Sequence, residues 1–72
     1  MSVDAAISRA IEEHPDLVAR SARAVPKAWG ALAAQGVRAF REREGRAPTD
    51  PERRAIWAGL WRAVEALKAG AR

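Results

Sequence analysis

Apolar residues recur along most of the chain at the three- and four-residue spacing of an α-helix, in segments separated by proline and glycine. A residue before proline is pushed out of helical conformation, so His14 and Val25 end the first two segments. Gly45 suits the position that stops the third, and 45–51 is a loop. The pattern predicts an all-α bundle of four helices, two short and two long, near 3–13, 15–24, 26–44 and 51–69.

A short loop joins the two long segments, so the third and fourth helices are predicted to form an antiparallel hairpin with the short helices folded across it. The chain has 72 residues, which predicts one domain, 1–72. Gly36 lies within the apolar stripe of the third helix and predicts the close approach of another helix. The predicted core consists of Trp29, Leu32, Val37, Phe40, Ile56, Leu60 and Val64, closed by Ile7, Ile11 and Leu17.

Two residues are candidate caps for the fourth helix. Thr49 would form a capping box with Glu52. Asp50 would instead place Pro51 at the first helical position, which proline favours. Asp50 is the preferred cap.

The fourth helix contains a strongly apolar stretch, AIWAGLWRAVEAL at 55–67. On a helical wheel its large apolar side chains fill about 140°, and small residues fill about 80° beside them. A helix of this kind needs cover on two sides. Ala55, Gly59 and Ala63 are spaced by four, which would let a second backbone come close.

Trp57 and Trp61 lie one turn apart in this stretch and allow two interpretations. In the first, they join Trp29 and Phe40 in one intramolecular core. In the second, they lie in a self-association or partner interface, where tryptophan is common because it buries a large area while keeping one hydrogen-bond donor. The candidate interface consists of Ala55, Trp57, Gly59, Trp61 and Ala63.

The composition of the chain limits how it can be stabilised. Cysteine is absent, so no disulfide or thiolate-bound metal stabilises the chain. Arginine outnumbers lysine eleven to two and alanine occurs eighteen times, a thermophile-like composition that is also typical of GC-rich genomes.

The net charge is +4, and 17–46 carries seven basic groups against two acidic ones. A basic middle attracts nucleic acid or an acidic partner, or it is a solvated helix surface.

Six arginines flank the turn between the two long helices: Arg38, Arg41, Arg43, Arg46, Arg53 and Arg54. Arginine binds phosphate in a bidentate manner and stacks on bases, and two helices joined by a short loop resemble a helix-turn-helix. Interleaved carboxylates cancel much of this charge, and arginine at a helix C-terminus is favourable through the helix dipole alone. The cluster is therefore a candidate nucleic-acid site or an ordinary solvated surface.

Catalytic residue types are scarce, since the chain has no cysteine, no tyrosine and one histidine. No base lies at a helical spacing from any hydroxyl, and no glycine-rich phosphate loop follows a strand. We expect no enzyme activity, cofactor, metal or small-molecule substrate. No apolar run reaches the roughly 20 residues of a membrane span, and the acidic N-terminus is unlike a signal peptide, which predicts a cytoplasmic protein that does not enter membranes.

Residues 45–52 read GRAPTDPE, which is similar to the loop-and-cap segments that introduce helices in sigma-factor-like domains. A helix stop followed by a cap produces the same pattern, so these eight residues assign no family. The function predicted from the sequence is a small non-enzymatic interaction module, either a homo-oligomer or an accessory or regulatory subunit of a larger complex. The alternative is a nucleic-acid-binding protein that uses the arginine cluster.

Overall fold

The computed structural model describes residues 2–70, and within that range the chain forms four helices and no strand. They are α1 (Ser2–Glu13), α2 (Pro15–Ala22), α3 (Ala28–Glu44) and α4 (Asp50–Gly70). Helices α3 and α4 form an antiparallel hairpin, and α1 and α2 pack against both of them. The molecule measures 39 × 21 × 20 Å. The all-α fold and its hairpin are confirmed.

The junction between α2 and α3 departs from the prediction, because α2 ends at Ala22 and α3 begins only at Ala28. Ala24 adopts a left-handed conformation with φ of 58°. The Val25 N–H donates to the Arg20 carbonyl at 2.9 Å, which is the long hydrogen bond of a Schellman motif. This motif normally has glycine at the left-handed position. Because alanine occupies that position here, the sequence did not indicate where α2 ends.

The start of α4 corrects the predicted cap. The Glu52 N–H donates to the Thr49 hydroxyl at 3.3 Å, and the Thr49 N–H donates to a Glu52 carboxylate oxygen at 2.8 Å. These reciprocal bonds form a capping box. The preference for Asp50 was wrong, since Asp50 is the first helical residue and pairs with Arg53 instead.

The core lies where α1, α2 and the hairpin meet. Its largest side chains are Phe40, Leu32, Ile56, Leu60 and Val64, all fully buried and all predicted. Ile7, Ile11, Leu17 and Trp29 are partly buried and pack against them. Val37 is a correction, because it is only half-buried and lines an open groove on α3. Val18 and the small residues Ala6, Ala10 and Ala39 are also buried in this core and were missing from the prediction.

Two buried glycines set the distances between helices. A Cβ at Gly36 would lie 2.7 Å from Cγ2 of Ile56 and 2.8 Å from Cδ1 of Leu60, so α4 approaches α3 too closely for any side chain there. This is the close approach predicted for Gly36. A Cβ at Gly59 would collide with Cδ1 of Ile7, so α1 occupies the small-residue side of α4.

The left-handed Ala24 provides a test of the α2–α3 junction. We expect Ala24→Gly to stabilise the protein by about 0.5–1 kcal/mol, because glycine avoids a cost of about 1–2 kcal/mol for an L-residue in this conformation and loses somewhat more chain entropy on folding. The control Ala31→Gly, at an exposed helical position of α3, should destabilise it by about 1 kcal/mol. Urea denaturation followed by circular dichroism measures both. Equal destabilisation by the two changes would contradict the assignment.

The Gly59 contact provides a second test. We expect Gly59→Leu to destabilise the fold by about 1–3 kcal/mol or more, because the added side chain needs the space that Ile7 fills. The control is Gly30→Leu, where a Cβ would meet nothing within 4 Å and helix propensity improves by up to about 1 kcal/mol. Thermal melting of both variants decides the question, and an unchanged midpoint for Gly59→Leu would rule out this packing.

Candidate interaction surface

One edge of α4 carries aromatic side chains that are only partly covered by the other helices. Trp57 is 38% exposed and Trp61 43%, and these two residues are called the aromatic edge here. Trp61 meets Trp29 of α3 in an edge-to-face contact, with ring centroids 5.2 Å apart and planes at 82°. The interpretation that places Trp57 and Trp61 in the buried core is therefore wrong, although Trp61 borders it through Trp29.

Cationic side chains lie over the exposed rings. The Arg53 guanidinium lies 5.7 Å from the centroid of Trp57, and the Lys68 ammonium lies 5.9 Å from that of Trp61. Each is within reach of a cation–π attraction, in which the positive charge meets the electron-rich ring face. The aromatic edge is consequently both apolar and basic.

An open groove of about 980 Å³ lies between α3 and α4 beside Trp57, and it is called the α3–α4 groove here. Small and apolar side chains of α3 form its floor, so α3 leaves space instead of filling it. The floor residues are Gly30, Ala33, Ala34 and Val37. The charged residues that line it are Arg38, Arg41, Glu42, Arg46 and Arg53.

The turn between α3 and α4 is held by a bidentate ion pair. The two terminal nitrogens of Arg46 donate to the two carboxylate oxygens of Glu52 at 2.8 and 3.0 Å, and the Arg46 guanidinium also lies 5.1 Å from the centroid of Phe40. The Arg46 hydrogen bonds, helped by the Thr49 N–H, lower the pKa of Glu52 to about 2. The same pairing raises the pKa of Arg46. Arg46 is thus already engaged within the chain.

A second network ties α1 to α3. Glu42 accepts hydrogen bonds from Arg38 at 3.1 Å and from Arg9 at 2.6 Å, and Arg9 also donates to Glu13 at 3.1 Å. The bond from Arg38, and then the one from Arg9, hold the pKa of Glu42 below its usual range. All of these groups are partly exposed, so the network mainly sets how α1 lies on α3 and adds little stability.

The structure divides the predicted arginine cluster. Four of the six arginines lie within ion-pairing distance of a carboxylate: Arg38 with Glu42, Arg43 with Glu44, Arg46 with Glu52, and Arg53 with Asp50. Arg41 and Arg54 have no such partner among residues 2–70. Arg38, Arg41, Arg46 and Arg53 line the α3–α4 groove together, whereas Arg54 lies with Trp57 at a smaller depression of about 280 Å³ and Arg43 lines neither.

The predicted interface on α4 is divided as well. Trp57 and Trp61 are exposed on one side, and Ala55 is exposed on the other, in a shallow groove shared with α1. Gly59 is buried beneath Ile7, and Ala63 is half-buried. The small-residue side therefore receives the chain's own α1 at Gly59, and Trp57 and Trp61 are the large apolar side chains of the predicted interface that stay partly exposed.

The sequence did not identify the floor of the α3–α4 groove. Val37 was predicted to lie in the core, and only the relative placement of α3 and α4 brings it beside Trp57 together with Ala33 and Ala34. The one available signal was Gly30, a glycine inside a helix, where a Cβ would meet no atom of residues 2–70 within 4 Å.

Within the part of the chain that the structure describes, no group of three His, Asp or Glu side chains could hold a metal ion. None of the helices formed by 2–70 is long and apolar enough to cross a membrane. No family model, curated protein or solved structure matches this chain. The aromatic edge and the α3–α4 groove are therefore the basis for a functional proposal.

The turn provides a prediction about pH. A carboxylate whose pKa falls on folding stabilises the native state above its usual value of 4.5, and this contribution is lost as the pH falls towards about 2. We expect Arg46→Gln to raise the pKa of Glu52 towards 4.5, so that the loss of stability begins at higher pH. Arg43→Gln is the control, because it removes the same charge and leaves the Arg46–Glu52 pair intact. Carbon-13 NMR of the Glu52 carboxyl follows the titration, and a wild-type value near 4.5 would refute the pairing.

Proposed function

We propose that this chain is a non-enzymatic protein-interaction module that binds its partner through the aromatic edge and the adjoining α3–α4 groove. The observation that supports this most directly is the exposure of Trp57 and Trp61, one turn apart, on a helix whose residues Ile56, Leu60 and Val64 are fully buried. Tryptophan is enriched among the residues that dominate binding energy, especially beside a pocket that excludes water. Its cytoplasmic location remains a prediction from the sequence.

The energetics indicate that the aromatic edge does not act alone. An indole side chain has roughly 250 Å² to bury, so about 40% exposure leaves roughly 100 Å² open on each ring. Covering both rings at about 25 cal/mol per Å² is worth about 5 kcal/mol. Association costs about 4–15 kcal/mol in lost translational and rotational freedom. A partner that covered only the two indoles would bind weakly, so the partner must occupy the groove as well.

Nucleic-acid binding through the arginine cluster is the second candidate function. The observation in its favour is that Arg41 and Arg54 have no carboxylate partner among residues 2–70 and lie on the same side as Trp57, on which a base could stack. The other four arginines lie within ion-pairing distance of carboxylates, whose negative charge offsets theirs and weakens the attraction to phosphate. Two available cations produce only a shallow dependence of affinity on salt, which is unlike a dedicated nucleic-acid binder.

Crosslinking in the native host tests the proposed function. A photoreactive amino acid such as p-benzoylphenylalanine is placed at Arg54, beside Trp57, and in a second strain at Arg20, which is exposed on α2. We expect protein adducts from position 54 and not from position 20, because only the former borders the aromatic edge. The added change Trp57→Gln should abolish the adducts, since it removes the apolar anchor. Equal labelling at the two positions, or adducts that survive Trp57→Gln, would overturn the proposal.

A further inference from the structure

We infer that the α3–α4 groove binds an acidic amphipathic helix of a different protein. This inference rests on the proposed function, because it names the partner of the same surface. Three features of the groove support it: its dimensions, its charge, and the absence of a suitable segment in residues 2–70.

The dimensions fit a short helix. The part of α3 that lines the groove, 30–41, spans about 17 Å at about 1.5 Å per residue, which is about three helical turns. Its floor carries side chains no larger than Val37, and Gly30 leaves space where a Cβ would meet no atom within 4 Å. A low, apolar floor between two helices is the setting in which an amphipathic helix lays its apolar face into a groove. Trp57 at the side supplies the anchor.

The charge selects an acidic partner. Four arginines and one glutamate line the groove, and Arg41 has no carboxylate within ion-pairing distance among residues 2–70. Arginine binds carboxylates in a bidentate manner, and potentials of opposite sign across an interface speed encounter and exclude wrong partners. A helix with apolar residues on one face and Asp or Glu at its margins would pair with Arg41 and would share Arg38 and Arg53 with their present partners.

A second copy of the chain does not meet these requirements. A symmetric dimer through the groove would bring two arginine-lined rims together, which is electrostatically unfavourable. The acidic helix α1 is no better, because its apolar residues Ala6 and Ala10 are buried in its own chain and Glu13 is bonded to Arg9. Within residues 2–70 no helix is both acidic and free on its apolar side.

Nucleic acid fits the groove less well than an acidic helix does. Its floor is apolar, and the Glu42 carboxylate lies among the lining residues, where it would repel phosphate. The same experiment therefore separates the two partners.

A binding measurement tests the charge requirement on the whole protein. The probe is a synthetic helical peptide of about 14 residues, with Leu at the first, fourth, fifth and eighth positions and Glu at most others, compared with its Lys counterpart and with a 20-base-pair DNA duplex, all at ~0.15 M salt. Isothermal titration calorimetry gives the affinities, and NMR shifts of backbone amides locate the site. We expect the acidic peptide to bind and to shift Gly30, Ala34 and Arg41, and the other two probes to bind at least tenfold more weakly.

Paired variants distinguish binding of the peptide in the groove from non-specific electrostatic attraction to the protein. Arg41→Glu should weaken the acidic peptide at least tenfold, whereas Arg20→Glu, the same charge change on α2 outside the groove, should weaken it less than twofold. Ala34→Leu, which fills the floor at an exposed position, should also weaken binding at least tenfold, and Ala66→Leu on the opposite side of α4 should not. Equal effects of the paired changes, preference for the Lys peptide or the DNA, or no binding of the acidic peptide would overturn the inference.

The native partner distinguishes failure of this inference from failure of the proposed function. The photoreactive residue is moved to Ala47, an exposed residue that lines the end of the groove and is not part of its floor, and mass spectrometry identifies the segment it labels. An acidic amphipathic segment of another protein supports both proposals. A basic segment, or a second copy of this chain, overturns this inference and leaves the proposed function standing. Labelling of nucleic acid alone overturns both.

Discussion

The close approach of three helices at two glycines is the constraint on which the rest of the structure depends. The chain is rich in alanine and has few large apolar side chains, so it can bury them only if the helix axes come near one another. Gly36 lets Ile56 and Leu60 rest directly on the backbone of α3, and Gly59 lets Ile7 rest on the backbone of α4. Because neither glycine has a side chain, the helices come close enough to bury five large side chains completely.

This arrangement also explains why the aromatic edge is exposed. Helix α4 is apolar or small over more than half of its circumference, and α1, α2 and α3 together cover only part of it. Helix α1 takes the side of Gly59, and α3 takes the side of Leu60. Trp57 and Trp61 lie outside these contacts and stay partly exposed, although Trp29 of α3 touches Trp61. The surplus apolar surface is therefore a direct result of how few helices the described chain contains.

The sequence predicted much of the fold because its evidence was local. Proline positions and helical spacing located four helices, and Gly36 marked a close contact. The predicted end of α2 was wrong because Ala24 adopts a left-handed conformation, which is normally found at glycine. At the start of α4, Thr49 and Asp50 offered equivalent local chemistry, and the choice depended on Glu52 turning back towards Thr49.

The candidate site was harder to predict because it is a relation between helices. Spacing by four at Ala55, Gly59 and Ala63 marks a surface that another helix approaches, and it does not say whether that helix belongs to the same chain. The groove exists only because α3 presents Gly30, Ala33 and Ala34 beside Trp57, which no pattern within one helix encodes. The arginine ion pairs likewise depend on side-chain directions across the turn.

The Ile7–Gly59 contact has a consequence for the order in which the chain folds. Its two residues are about 50 positions apart, so closing that loop carries a large entropic cost, whereas the hairpin of α3 and α4 closes through a much shorter one. Contacts between residues close in sequence form early, because little chain entropy is lost. Contacts between distant residues form later, when many other contacts offset the entropy of closing the loop. Until α1 docks, the side of α4 that carries Gly59 stays exposed to solvent. We therefore expect α1 to dock late, onto a hairpin of α3 and α4 that has already formed.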